Sequence, residues 1–310
     1  MSPRIAVDAG HGYTKALSQS GERVIFPSLI ALAPQGVDLG EFGQSDSAQI
    51  DGISYLFGES ARTHATPLWS RDKAADPDTL RLILVAAAQL GAVGPVALAT
   101  GLPLSWFGSQ RRAFKDALTG FGGVVQRAGQ PPQRVWFESV KLLPQGVAAA
   151  LTLLTAPDRE PGQYIVVDIG YRTTDFVAVS KSPAGLQFDP NEAGSLEIGT
   201  HAMGYALAKG LEHDYHVSFQ VAEVESAARV WVEGQAVLLQ ERRADATQAV
   251  ARALVQALNE ALADRLKKAA GIIAVGGGAS LLGRAIPHAV VPEEFQWANV
   301  LAYLGALGAG

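Results

Sequence analysis

Cysteine is absent from this 310-residue chain, and its absence excludes several kinds of site at once. Disulfide frameworks, iron–sulfur clusters, thiolate zinc sites and thiol nucleophiles all require it. An excess of positive charge is also missing, since 25 Lys and Arg residues stand against 30 Asp and Glu residues, a net charge of −5. Without a basic field, we expect no direct binding of nucleic acid through its phosphates.

Charged residues of either sign are scarce. They form 18% of the chain while hydrophobic residues form 48%, a composition too apolar for a disordered protein. One uncharged run, Leu82–Leu102, is long enough to suggest a membrane span, but glycine and proline interrupt it. We predict a buried helix at Asp78–Leu90 and a buried strand at Val96–Thr100 instead. An acid at Asp8 argues against an export signal, so we expect a cytoplasmic globular protein without membrane contact.

Short apolar runs alternate with helical segments, the order expected when helices cover a mixed or parallel sheet. The length favours two domains, and a Gly/Pro/Asp-rich stretch at 156–162 is the best boundary. We predict domain I at residues 1–156 and domain II at residues 157–310, with the C-terminal helix free to pack back onto domain I. The strand candidates are 5–7, 23–26, 54–57, 96–100, 135–137, 164–167, 176–179 and 272–275, and further helical periodicity is clearest at 145–154, 202–212 and 236–269.

Two segments share one order of residues, Ile5–Lys15 and Ile165–Asp175. In each, an apolar strand ends at the aspartate of an Asp-X-Gly motif, Asp8 or Asp168. A tight turn, a threonine and a second strand follow. The repeat predicts that each half of the chain opens with the same β-hairpin.

These hairpins predict a polyphosphate site. A carboxylate at the end of a buried strand is suited to a hydrated cation, and the N–H groups of a glycine-rich turn are suited to an anion. We assign magnesium, through its water shell, to Asp8 and Asp168. An ordinary β-turn is the alternative for either hairpin alone, and the presence of two copies weighs against it. The residues assigned to nucleotide binding are Gly10, Gly12, Tyr13, Thr14 and Lys15 in the first hairpin, and Gly170, Arg172 and Thr173 in the second.

A third motif follows a buried strand at 272–275, where Gly276, Gly277, Gly278 and Ala279 lead into a helix. Three consecutive glycines leave a bare backbone surface that suits a flat purine base. We assign these four residues to the nucleotide.

In this order, the three motifs resemble those of the actin-like ATPases, within the superfamily that includes sugar kinases and heat-shock chaperone ATPases. The chain is most similar to the plasmid-segregation branch, ParM and StbA, and to small archaeal actin-like proteins. The resemblance implies an α/β actin-like fold, with two related domains, each a mixed sheet flanked by helices, and a nucleotide cleft between them. It implies ATP or ADP and Mg²⁺ as ligands, ATP hydrolysis coupled to polymerisation, and filaments that act in DNA segregation or as a cytoskeletal element. The partners implied are other copies of the chain and a DNA-binding adaptor protein.

The resemblance also assigns individual residues. Gln145 matches the residue that positions the attacking water and joins Asp8 and Asp168 as catalytic, while Gly199 and Thr200 approach ribose or phosphate. Tyr171 and Arg172 depart from the acidic or glycine residues of many relatives. For Gln145 the alternative is a polar residue at the start of an Ala-rich helix.

Two other functions stay open at this point. A monomeric or dimeric small-molecule kinase of the same superfamily would need a carboxylate base beside the acceptor hydroxyl, where this chain has Gln145. A nucleotide-dependent scaffold would bind ATP without hydrolysing it. The six histidines are scattered without metal-ligand spacing, so we expect no zinc site.

Overall fold

The computed structural model describes residues 2–34, 46–65, 70–156 and 159–308. The chain divides into two compact units: the first runs to Ala148 and includes the segment from Trp297 onwards, and the second is Ala149–Gln296. Residue 157, where domain II is predicted to begin, lies outside the described residues.

The strands, in chain order, are β1 (Arg4–Ala9), β2 (Tyr13–Ser18), β3 (Arg23–Pro27), β4 (Ile30–Leu32), β5 (Ser47–Ile50), β6 (Ile53–Phe57), β7 (Gly94–Leu102), β8 (Gly122–Arg127), β9 (Gln133–Pro144), β10 (Gly162–Ile169), β11 (Thr174–Ser182), β12 (Gly185–Leu196), β13 (Arg229–Val232), β14 (Gln235–Leu238), β15 (Gly271–Val275) and β16 (Ala289–Val290). The helices are α1 (Pro77–Gln89), α2 (Leu104–Leu118), α3 (Val147–Leu154), α4 (His201–Tyr215), α5 (Val221–Val224), α6 (Gln240–Leu262), α7 (Arg265–Lys268), α8 (Ala279–Leu282) and α9 (Ala298–Gly308).

Each unit contains a mixed sheet. In the first unit the strand order is β3-β2-β1-β7-β9-β8-β5-β6-β4, and β1, β7 and β9 run parallel to one another. In the second unit the order is β12-β11-β10-β15-β16, and β10, β15 and β16 run parallel. Five strands of the first sheet, β3-β2-β1-β7-β9, therefore repeat the topology of the second. The predicted α/β class, with two related mixed-sheet domains, is confirmed.

Helices cover both faces of β1. Because successive residues of a strand point to opposite faces, Ile5 and Val7 join the core that α1 completes, and Ala6 joins the core that α9 completes. Helix α1 is buried all round, since every residue of 82–88 is buried. In the second unit, α6 packs its apolar stripe against β10 and β15.

The long uncharged run is divided between α1 and β7, as predicted. Within the described ranges, every helix is too short or too polar to span a bilayer.

The prediction of one helix over 236–269 is wrong at its start and near its end. Residues 235–238 form β14, which pairs with β13 across a turn at Glu233 and Gly234. Both turn residues have positive φ, 49° and 80°, the geometry of a tight hairpin, and this pairing overrides the helix propensity of Ala236 and the residues after it. Helix α6 ends at Leu262, because Ala263 has φ 46° and leaves the helical conformation.

Gly101 tests the packing of α9 on the first sheet. A Cβ at this position would lie 1.9 Å from Tyr303 Oη and 2.9 Å from Leu143 O, so Gly101→Ala should lower the free energy of unfolding by about 1–3 kcal/mol. Gly108→Ala on α2 is the control: its Cβ meets no atom within 4 Å, so it should raise stability by about 0.5–1 kcal/mol. Urea unfolding measures both, and equal effects would contradict the described packing.

Candidate functional site

The first hairpin joins β1 to β2. Its register pairs Asp8 with Lys15 and Ala9 with Thr14, and Gly10 N donates to Tyr13 O at 3.2 Å to close the turn. Because side chains alternate along a strand, Asp8 and Lys15 share one face of the sheet and Thr14 lies on the other.

The second hairpin, from β10 to β11, has the same construction. Asp168 pairs with Asp175, Ile169 pairs with Thr174, and Gly170 N donates to Thr173 O at 2.9 Å. The predicted repeat is confirmed at the level of strand register and turn closure. The hairpins differ in charge, because Asp175 stands where the first hairpin has Lys15.

Asp8 is 6% exposed and lies at the end of β1. Gln145 Nε2 donates to Asp8 Oδ1 at 2.8 Å, and Lys15 Nζ lies 3.8 Å from Asp8 Oδ2. Gln145 directly follows β9, and its N–H donates to Leu102 O at the end of β7. Two of the three predicted catalytic residues are therefore in contact.

A second cation, missed in the sequence, lies beside this group. Lys73 is buried, and its Nζ donates to Ala9 O. Burial lowers the pKa of Lys73, and the negative charges of Asp8 and Asp76 act in the opposite direction. A lone lysine before the first turn of a helix carries no motif, so local sequence gave no indication of this contact.

Thr14 is fully buried, and its Oγ1 lies 2.9 Å from Ser28 Oγ. Ser28 also binds the turn, since its N–H donates to Gly12 O at 2.9 Å. The Thr14 hydroxyl thus contributes to holding the hairpin, and its assignment to the nucleotide stays a prediction. Tyr13, at the end of the same turn, is 47% exposed.

The glycine motif packs directly against the second hairpin. Strand β15 runs parallel to β10 with Asp168 paired to Val275, so Gly276 passes close to Asp168. Gly276 has φ +86°, and a Cβ there would lie 2.2 Å from Asp168 Oδ1 and 2.5 Å from Ile169 O. Gly278 N donates to Ile169 O at 2.8 Å, which fixes the far end of the turn.

Only the middle glycine presents a free surface. Gly277 is exposed, and a Cβ there would meet no heavy atom within 4 Å. Gly276, Gly278 and Ala279 are buried. The bare surface expected from three glycines is therefore confined to Gly277, because Gly276 and Gly278 pack closely against other residues of the chain.

The start of α4 holds the tip of the second hairpin. Thr200 N donates to Gly170 O at 3.1 Å, and His201 N donates to Tyr171 O at 2.8 Å. A Cβ on Gly199 would lie 2.4 Å from Tyr171 O, so this contact also requires glycine. Gly199 and Thr200 are thereby brought to the second hairpin.

Two charged groups lie beside this tip. Arg172 Nε is 3.5 Å from Glu197 Oε2. Burial, and then the charge of Arg172, lower the pKa of His201, so its imidazole is neutral at neutral pH.

The predicted site residues thus form two clusters, each described within its own unit. The first comprises Asp8, Gly10, Gly12, Tyr13, Thr14, Lys15 and Gln145, and the second comprises Asp168, Gly170, Arg172, Thr173, Gly199, Thr200 and 276–279. Among the residues that the structure describes, no group of three or more His, Asp or Glu side chains is placed to hold a metal ion.

Two family profiles match the chain: "Actin like proteins N terminal domain" over residues 6–147, and "Archaeal actin homologue MreB-like, C-terminal" over residues 166–288. An archaeal actin homolog of Thermoplasma acidophilum is 28% identical over 325 aligned residues, covering 97% of this chain and 98% of the relative.

Solved structures share the fold. Ta0583, an archaeal actin homolog in complex with ADP, is 23% identical with a TM-score of 0.80, covering 99% of this chain and 100% of that one. A 15-stranded ParM filament from Clostridium botulinum is 19% identical with a TM-score of 0.86, covering 98% of each chain.

Gly276 and Gly277 are a matched pair for testing the described turn. Gly276→Ala should lower the free energy of unfolding by about 2–4 kcal/mol, because it combines positive φ with a clash at Asp168. Gly277→Ala should change it by less than about 0.5 kcal/mol, since its Cβ enters open space. Urea unfolding without added ligand measures both, and an equal loss in the two variants would reject the described turn.

Proposed function

The chain belongs to the actin-like proteins, and from that premise we propose that it binds ATP with Mg²⁺, hydrolyses the ATP and assembles with its own copies into filaments. The observation that carries the proposal is the pair of hairpins with one register, each in its own unit and each placing a buried aspartate at a strand end beside a glycine-closed turn. The relatives add support, because one is solved with ADP and another as a filament.

We assign the nucleotide's contacts from the two clusters. In the second unit, Gly277 offers the open backbone surface for the adenine, while Gly199 and Thr200 adjoin the hairpin tip where ribose and phosphate would lie. In the first unit, the Gly10–Tyr13 turn and Lys15 are the groups for the phosphates. Backbone N–H groups in such turns and lysine charges are both favourable for polyphosphate.

The carboxylates fit magnesium by their chemistry. Mg²⁺ takes one or two carboxylates and completes its shell with waters and phosphate oxygens, and Asp8 and Asp168 are carboxylates over nine-tenths buried at the predicted phosphate positions. When bound, the ion would supply positive charge that neutralises the phosphates.

Gln145 is the residue we assign to the attacking water. Its amide nitrogen donates to Asp8, which fixes the side chain, and its carbonyl oxygen is the acceptor that would orient a water toward the terminal phosphate. An amide is not a strong base, but phosphoryl transfer depends mainly on positioning and on charge stabilisation. Slow hydrolysis is expected from this arrangement.

We place the filament in DNA or plasmid segregation, or in a cytoskeleton, within the cytoplasm. The net charge of −5 is consistent with DNA reached through an adaptor protein rather than bound directly.

Gln145→Ala should separate binding from turnover. We expect ATP affinity within about threefold of wild type and hydrolysis lower by about tenfold to a hundredfold, because the lost group acts on the water rather than on the bound phosphates. Gln126→Ala, at an exposed position of β8, is the control and should change neither. Equal losses of affinity and turnover would assign Gln145 a structural role.

Light scattering tests assembly. Above a critical concentration, scattering should rise on addition of Mg-ATP and decay as the nucleotide is consumed, because a head-to-tail contact repeated without closure gives filaments. A non-hydrolysable analogue should give a plateau, since only a difference in lattice affinity between nucleotide states lets hydrolysis drive disassembly. The filament proposal would be rejected in favour of a kinase if the protein sediments as a monomer with ATP at every concentration and its ATP turnover requires an acceptor.

A further inference from the structure

Lys73 is a buried cation to which the function proposed above gives no role. Its side chain is 4% exposed, and lysine is rarely buried without a partner because its ammonium group loses strong hydration. Neighbouring groups must replace the lost hydration of a buried ammonium group, and the identity of those groups indicates what the lysine does.

The compensation comes from the first hairpin and from the start of α1. Lys73 Nζ donates to Ala9 O, the carbonyl between Asp8 and the turn residue Gly10. The carboxylates of Asp8 and Asp76 provide the negative charges that act on the ammonium. Asp76 is itself held in place, because it accepts the Asp78 N–H at 3.1 Å as the N-cap of α1.

The segment that carries Lys73 is fixed from a second side. Gln110 of α2 donates through Nε2 to Arg71 O at 2.5 Å and accepts the Lys73 N–H at 3.4 Å. Asp72 Oδ1 accepts the N–H groups of Ala74 and Ala75, each at 3.1 Å. Lys73 therefore extends from a backbone attached to two helices.

We propose that Lys73 is a positioning residue for polyphosphate: it fixes the end of β1 and supplies a second positive charge beside Asp8. This inference rests on the proposed function. Lys15 lies 3.8 Å from Asp8, and Asp76 is the second carboxylate that acts on Lys73, so the two cations balance the two carboxylates; loss of the Lys73 ammonium would leave this group net negative. In a buried environment such a charge acts strongly on an incoming anion, because the low dielectric screens it weakly.

This role predicts that removal of the Lys73 ammonium lowers nucleotide affinity by an amount that depends on the phosphate charge of the ligand. Without the ammonium, ATP should lose more affinity than ADP, and ADP more than adenosine. A purely structural lysine would instead weaken all three ligands to the same extent. The comparison is made in EDTA, where no metal ion masks the phosphate charge.

The absence of cysteine from the chain gives a sharp experiment, because Lys73→Cys creates a unique thiol. Alkylation in urea with 2-bromoethylamine, followed by refolding, restores a lysine-like ammonium. Iodoacetamide under the same treatment gives a neutral side chain of similar length. Wild-type protein carried through the same steps is the reference, and calorimetry measures the Kd values of ATP, ADP and adenosine.

We expect the neutral form to bind ATP about tenfold or more weakly than wild type, as for the loss of one charged contact, and the aminoethyl form to recover to within about threefold. The melting temperatures of the two modified forms without nucleotide are compared as a measure of folding. If the variant does not refold, Lys73→Met and Lys73→Arg expressed directly give the same comparison of charge, with Lys115→Met on the exposed face of α2 as the control for the loss of one cation.

Two results would overturn the inference while leaving the proposed function intact. One is wild-type ATP affinity in the neutral form, and the other is an equal loss for ATP, ADP and adenosine that the restored ammonium does not repair. Failure of the wild-type protein to bind any nucleotide with Mg²⁺ as well as in EDTA would overturn the proposed function, and this inference with it.

Discussion

Parallel pairing between the central strands of each sheet decides where the candidate residues lie. Strand β10 pairs with β15 so that Asp168 stands opposite Val275, and the next residue, Gly276, then passes within contact of the Asp168 carboxylate. In the first unit, β7 lies between β1 and β9, which brings Gln145 to Asp8. The carboxyl ends of parallel strands meet at one edge of a sheet, and each cluster forms at that edge of its own sheet.

The two hairpins share a backbone but not a charge distribution. In the first, Asp8 is accompanied by two cations, Lys15 and the buried Lys73. In the second, the position of Lys15 is taken by Asp175, which accepts a hydrogen bond from Ser195, and Arg172 is paired with Glu197. On the proposed function, the first hairpin therefore contributes more of the charge that neutralises phosphate, and the second contributes more of the backbone surface.

Strands with continuous apolar or β-branched sequence were predictable, and those without it were not. The candidates at 164–167 and 272–275 correspond to β10 and β15, whose central residues are buried on both faces. The Pro/Gly-rich stretch at 183–194 gave no indication of β12, which is a strand at the sheet edge, where Pro190 is tolerated. The error over 236–269 has the opposite cause, because a two-residue turn imposed a hairpin on good helix formers.

By itself, the sequence determined the repeated Asp-X-Gly hairpins and the glycine turn after β15, because each depends on residues adjacent in the chain. Gln145 was assigned through the family resemblance. Only the tertiary structure decided that Gln145 donates to Asp8 across 137 positions and that Lys73 reaches Ala9 across 64. It also decided that Thr14 is bound to Ser28 and that only Gly277 of the three glycines is open. Such contacts depend on strand order and on the packing of α1 and α2, which local periodicity does not encode.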